Sequence, residues 1–187
     1  ALALRPERVP QDAVFQAGPG GALRLAVRAG QGLRVSDQVL LLSIANGLGH
    51  RPVTFGISSG RASWLGLDPH LVLHGLVYNV VPGRADTVRA YLQGLHGPMI
   101  DSARTRLLAD SVFRFGALLE PPPDSLALEP AAQQVATSFS IVFLELGNAA
   151  LVRGERAQAL AHLRLAYRLN PGEALGEVLR RVESGGT

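Results

Sequence analysis

The sequence predicts a mixed α/β fold: a small sheet with a strand–helix–strand unit, followed by an α-helical hairpin of tetratricopeptide-like type. Three observations predict it. "ALRLAVRA" (22–29) alternates apolar residues with arginine, the period of a half-buried strand. "RPVTFGIS" (51–58), "LDPHLVLHG" (67–75) and "GLVYNVVPG" (75–83) read as strand, short helix and strand within roughly 30 residues, the pattern of a crossover with a parallel pair. After residue 131, small and apolar residues recur with helical period. The 187 residues, 47% of them apolar, are enough for one domain with its own core and a helical appendage.

In chain order, residues 1–21 are rich in proline and glycine and read as an extended N-terminal arm. The α/β domain covers 22–119. Its first strand is broken by "GQG" (30–32), after which "SDQVLLLSIANGLG" (36–49) reads as a helix. Ser36 or Asp37 caps its first turn, and Asn46-Gly47 stops it. Strand 51–58 is expected from its β-branched and aromatic content, with Pro52 at a position where a ladder donor is dispensable. The short helix 67–75 carries Asp68 at the cap and Pro69 at the first helical position. Helices are also predicted over 85–95 and 101–119. The segment 120–130 holds four prolines and reads as a linker.

The tail, 131–187, carries the sharpest pattern. Ser140, Phe143, Leu146, Gly147, Gly154, Ala159, Leu163, Ala166 and Pro171 fall at the spacings of one tetratricopeptide repeat, a helix–turn–helix of roughly 34 residues. Each residue type has a physical role there. Gly147 and Ala159 are small where two helices approach closely, Gly154 sits in the turn, Leu163 and Ala166 fill the inner face, and Pro171 ends the second helix. A plain antiparallel helical hairpin needs small residues at its contacts for the same reason. One repeat cannot bury its face alone, so it leans on 101–119, on the closing "ALGEVLRRV" (174–182), or on a partner.

Composition narrows the chemistry. Cysteine is absent, which excludes disulfides, thiolate metal sites and a cysteine nucleophile. All 18 basic residues are arginine, the net charge is only +3, and the arginines form no stripe, so a nucleic-acid partner is not expected. The longest apolar run, "FSIVFLELGNAALV" (139–152), is interrupted by Glu145 and Asn148 and is shorter than the ~20 residues of a span, so no transmembrane span is expected. The chain starts at Ala1 without methionine, as a processed or excised chain would.

Candidate sites are weak. "HLVLH" spaces His70 and His74 four apart, and Asp68 would make a third metal ligand, but no HExxH glutamate accompanies them; surface or cap histidines are the simpler reading. "GISSG" (56–60) satisfies GxSxG with Ser58 as nucleophile, and histidines follow it, but a nucleophile elbow needs a helix directly after the second glycine. No GxxxxGK[ST] phosphate loop occurs. No catalytic residue, cofactor or metal is therefore expected.

The order of motifs nevertheless resembles a known family. "SDQVLLLSIANGLGHRPVTFGIS", then "LGLDPHLVLHGLVYNVVP", then a tetratricopeptide-like end is similar to the soluble C-terminal part of the bacterial protein O-mannosyltransferase-like polytopic membrane proteins. Asp37, Asn46, Arg51, Pro52, Phe55, Gly75, Leu76, Tyr78, Val81 and Pro82 match the family's pattern, and the likeness covers roughly residues 33–171. "GLGH" stands where the family carries charged residues before Arg-Pro, Asn79 stands in place of an arginine, and His70 and His74 stand where it tolerates a tyrosine and an acid.

The family's catalytic machinery lies in its membrane-embedded N-terminal part, which these 187 residues do not include. The resemblance therefore implies a non-catalytic domain on the periplasmic, extracytoplasmic face of a bacterial membrane. The expected function is a protein-interaction or structural module, an accessory subunit stabilising a membrane protein assembly of respiratory or photosynthetic type, with Leu151 and Val152 as contact residues. The alternative is an acceptor-positioning domain of a membrane glycosyltransferase. Arg51, Pro52, Phe55, Tyr78 and Pro82 are read as a structural motif; burial of Arg51 against a carboxylate such as Asp37 would mark it so.

Overall fold

The structure, a computed structural model, describes residues 5–58, 65–82, 99–115, 118 and 129–185. It is mixed α/β, as the sequence predicts. The strands are β1 (Glu7–Arg8), β2 (Ala13–Ala17), β3 (Leu23–Val27), β4 (Gly32–Leu33), β5 (Thr54–Gly56), β6 (Leu71–His74), β7 (Val77–Val80) and β8 (Met99–Ile100). The helices are α1 (Val35–Gly47), α2 (Ser102–Ser111), α3 (Pro130–Val152), α4 (Arg156–Leu169) and α5 (Glu173–Ser184). The strands pair as β1-β4, β2-β3 and a four-stranded sheet of order β5-β7-β6-β8. Two compact units result: residues 1–72 with 77–86, and residues 73–76 with 87–187.

In the first unit the alternation of 22–29 does what its period dictates. Leu23, Leu25 and Val27 are buried, while Arg24 and Ala26 face out. The partner strand comes from the segment read as an arm: β2 pairs antiparallel with β3, Phe15 opposite Leu25. A 3-10 turn over Pro19–Gly21 joins the two, with Gly18, Gly20 and Gly21 all at positive φ. The arm's glycines therefore make a hairpin connection.

Helix α1 starts one residue before the predicted segment. Its cap is Arg34, and Asp37 sits in the first turn, where its Oδ2 accepts the Arg34 N–H at 2.9 Å. A buried carboxylate there satisfies an otherwise open donor and meets the positive end of the helix dipole. Leu41 and Ile44 face the core. The helix stops at Gly47 as expected: the Gly47 carbonyl accepts both His50 N and Arg51 N at 2.9 Å, and a Cβ at Gly47 would lie 2.8 Å from Val53 Cγ2.

The connection after β5 corrects the crossover reading. The helical part of 67–75 is a single 3-10 turn, Asp68–His70, and "LVLH" is strand β6. Leu71, Val72 and Leu73 are apolar and buried, and a continuous buried run does not distinguish strand from helix by period. Gly75-Leu76 then turns the chain into β7, and β7 pairs antiparallel with β5, Phe55 opposite Tyr78. The predicted parallel pair is replaced by antiparallel pairing, because the segment read as a helix is strand β6 and the two-residue turn Gly75-Leu76 leads it directly into β7, which leaves no crossover helix before β7.

The second unit is built on α3 and α4. Pro130 opens α3, where its missing N–H costs nothing. Three residues, Arg153–Glu155, link α3 to α4, with Gly154 at φ +75°. Ser140 meets Ala166, and Gly147 meets Leu163 and Ala159, so contact positions rise on one helix as they fall on the other, as in an antiparallel hairpin. At 23 residues, α3 is long and apolar enough to cross a membrane by length and composition, which the interrupted run 139–152 did not suggest; 61% of its most apolar window is buried among its neighbours. Helix α2 ends at Ser111, short of the predicted 119. Beyond it Phe113 and Phe115 turn inward onto Phe139 and Phe143 of α3, with ring centroids 4.9–5.4 Å apart across the two segments. The helix predicted over 85–95 and most of the 120–130 linker lie outside the described residues.

Candidate functional site

The helical hairpin is where sequence pattern and geometry coincide. Leu163, Ala159 and Ala166 are fully buried, and Gly147, Leu146 and Phe143 are buried opposite them. A Cβ on Gly147 would stand 2.8 Å from Leu163 Cγ and 2.9 Å from its Cδ2, so only glycine allows this helix approach without repacking. Ser140 Oγ donates to the Ala166 carbonyl at 2.8 Å in the buried interface. Pro171 follows the end of α4, and α5 closes the hairpin. Arg156, the first residue of α4, holds α5 by its end: Nε and Nη2 donate to the Val182 carbonyl at 3.1 and 2.7 Å, and Nη2 to the Glu183 carbonyl at 2.8 Å. Those carbonyls are among the open acceptors of a helix C-terminus, and a guanidinium satisfies them.

At the α3–α4 turn the side chains form a polar chain. Arg153 donates to Glu155 Oε2 at 2.8 Å and to Ser102 Oγ at 3.2 Å. With its amide turned so that both ends find partners, Gln158 donates to Glu155 Oε2 at 2.6 Å and accepts from Arg106 Nη1 at 2.9 Å. The hydrogen bond from Arg153 holds the Glu155 carboxyl below its usual range. Next to this chain the His162 ring stacks on Phe143, centroids 6.1 Å apart and planes at 24°. Burial first, and then Arg106 and Arg153, push the His162 pKa down, with Asp110 opposing. The arrangement ties α2, the turn and α4 together. It holds no nucleophile activated by a base. Sequence reading did not find it, since its members are ordinary polar residues scattered over 102–162 that carry no periodic signal.

The predicted structural motif divides. Tyr78 is 2% exposed and Phe55 half-buried, as core positions should be. Pro52 and Pro82 are exposed. Arg51 is exposed too and makes no ion pair with Asp37, whose carboxylate serves the α1 cap. The condition that would mark the motif structural, Arg51 buried against Asp37, is not met: Asp37 bonds locally, three residues from its donor, and the Arg51 side chain lies over Gly47, Nε 3.6 Å from where a Cβ would be.

The weaker candidates do not assemble. His70 is buried in the 3-10 turn, while His74, at the end of β6, lies 3.8 Å from Asp101, the cap of α2. Among the described residues no group of three histidine or carboxylate side chains is placed to hold a metal ion. Gly56 ends β5, Ser58 is exposed in the turn after it, and Ser59-Gly60 of "GISSG" lie outside the described residues. Leu151 is half-buried, and Val152 is exposed at the end of α3.

The chain matches no family model, and no curated protein or solved structure shows significant similarity to it.

Proposed function

We propose that this chain is a non-catalytic protein-interaction module on the extracytoplasmic face of a bacterial membrane, an accessory subunit that stabilises a larger membrane protein assembly. The observation that carries the reading is the α3–α4 hairpin, whose close-packed positions answer to a tetratricopeptide repeat. Such repeats work by presenting stacked helix faces to other proteins. Val152 and Leu151, at the exposed end of α3, are the contact residues. Separately, α1 turns Val35, Val39 and Leu42 to solvent along a face without charge, a stripe of the kind that partners cover. The test is photo-crosslinking in native membranes with a photoactivatable side chain at position 152, because a lysine-free chain gives amine crosslinkers almost nothing to react with. Discrete adducts with membrane-complex subunits are expected; a chain that stays monomeric and adduct-free overturns the reading.

The second reading, an acceptor-positioning domain of a membrane glycosyltransferase, is favoured by the likeness of "RPVTF" and "GLVYNVVP" to the O-mannosyltransferase-like proteins. The gene separates the two. Many apolar segments of ~20 residues encoded upstream of Ala1 favour the transferase, and a lone signal peptide favours the accessory subunit.

A further inference from the structure

Helix α1 is apolar on the side away from the core as well as toward it. Leu41 and Ile44 are buried, while Val35, Val39 and Leu42, on one outward stripe, are 38%, 46% and 44% exposed. A helix apolar on both sides is of the kind that is covered on both. Its one charge, Asp37, is buried at the cap, where Oδ2 accepts the Arg34 N–H. Ser43, beside Leu42, donates its hydroxyl to the Val39 carbonyl at 2.8 Å and so needs no water partner. The rim of the stripe is basic. Arg34 is exposed at the N-cap. The Gln38 amide donates to the Arg5 carbonyl, which seats Arg5 on one flank, and Arg8 pairs with Gly32 at the entry to the helix. On the other flank the Arg51 side chain lies over Gly47, since Gln38 and Gly47 fall on opposite sides of the stripe by helical spacing. All four arginines are exposed, with the exposed Glu7, opposite Leu33, among them.

We propose that α1 docks on an anionic bilayer surface: Val35, Val39 and Leu42 enter the boundary between headgroups and acyl chains, and Arg5, Arg8, Arg34 and Arg51 meet the lipid phosphates. A helix that lies flat in that boundary combines an apolar face with a basic border in this way. Its backbone bonds are internal, so its length brings no open polar groups into lipid. Arginine stems lie along apolar surface while each guanidinium reaches a phosphate through paired N–H groups. A second copy of this chain fits the face less well, because two-fold pairing sets the same patch against itself and the arginine rim against its own like charge. A protein groove fits it less well too. The stripe is aliphatic and convex, without the tryptophan or tyrosine that anchors protein contacts, and a lipid surface needs no matching pocket. The inference goes beyond the protein-interaction reading and shares with it only the setting at a membrane.

Flotation of the full chain with lipid vesicles tests this. Vesicles of phosphatidylcholine with about one-third phosphatidylglycerol should bind it about tenfold or more tighter than phosphatidylcholine alone, and the difference should shrink at about 0.5 M salt. The variants Val39→Ser/Leu42→Ser and Arg5→Gln/Arg34→Gln change exposed side chains only, and each should weaken binding to the anionic vesicles by about tenfold or more. No binding to anionic vesicles, or binding that either folded variant leaves unweakened, overturns the proposal. Should a variant not fold, a photoactivatable side chain at position 42 in native membranes decides. Adducts with lipid support the proposal, and adducts with another protein or with a second copy of this chain overturn it. Adducts from position 152 judge the protein-interaction reading by itself, so the two stand or fall separately.

Discussion

Replacing Gly147 by alanine sets two effects of known size against each other. In a solvent-facing helix interior, Gly→Ala stabilises by about 1 kcal/mol, because alanine loses less backbone freedom on folding. At Gly147 the new Cβ would sit 2.8 and 2.9 Å from Leu163 Cγ and Cδ2. Leu163 is fully buried, and the nearer atom is its branch point, so no flexible tip can swing aside. Overpacking of this kind costs about 1–3 kcal/mol. The net expectation for Gly147→Ala is a loss of about 1 kcal/mol, a fall in Tm of about 2–4 °C for a chain of this size, read by urea and thermal unfolding. Leu163→Ala alone should cost about 2–5 kcal/mol through its cavity. In that background the obstructing atoms are gone, and the next contact, Ala159 O at 3.4 Å, is an ordinary one. Gly147→Ala should then become stabilising by up to about 1 kcal/mol, a change of sign that a double-mutant cycle detects. A Gly147→Ala variant as stable as the parent or more so, with no sign change in the Leu163→Ala background, would refute the close-approach argument on which the repeat-like hairpin rests.

Gly154→Ala meets no atom within 4 Å, yet φ is +75°, so it should cost about 1–2 kcal/mol by backbone strain, and Gly154→Asn less, by the same unfolding assays. Ser140→Ala should cost only about 1 kcal/mol, because the Ala166 carbonyl keeps the Asn170 N–H at 3.1 Å when the hydroxyl is gone. Thr105→Val keeps the shape but strands the buried Gly75 N–H, and should cost about 1–3 kcal/mol. Arg156→Ala should fray α5, seen as faster exchange over 173–184, whereas Arg164→Ala, which breaks only an exposed pair with Glu183, should shift stability by less than about 1 kcal/mol.

The parts of the fold that were legible in the sequence are those written in local chemistry. The alternation of Leu23, Leu25 and Val27 announced β3, Asn46-Gly47 announced the end of α1, and the spacing from Ser140 to Pro171 announced the hairpin with its turn at Gly154. Each depends on periodicity or on a residue with a distinctive backbone preference. The misread parts are those where an apolar run carries no period. "LVLH" is buried on both sides as β6, and nothing in its four residues says strand. The arm's strand β2 was hidden because Ala13–Ala17 is largely exposed and finds its pairing only in β3.

For the candidate site the division is the same. The small residues Gly147 and Ala159 declared a close helix contact by themselves, since only a backbone-to-backbone approach rewards them. The roles of Arg51, His74 and His162 were not legible. Whether Arg51 would meet Asp37 could not be read from the sequence; Asp37 serves its own helix cap three residues away, and short-range satisfaction wins over a longer reach. His74 and His162 lie 88 positions apart in sequence, yet His74 stands 3.8 Å from Asp101, the cap of α2, and His162 feels the charges of Arg106 and Asp110 of that helix. What the sequence determined by itself is periodicity, turns and the small-residue seam, all set within a few residues. What tertiary structure alone decided is which charges share a low-dielectric neighbourhood, because burial and long-range proximity exist only once the helices have packed.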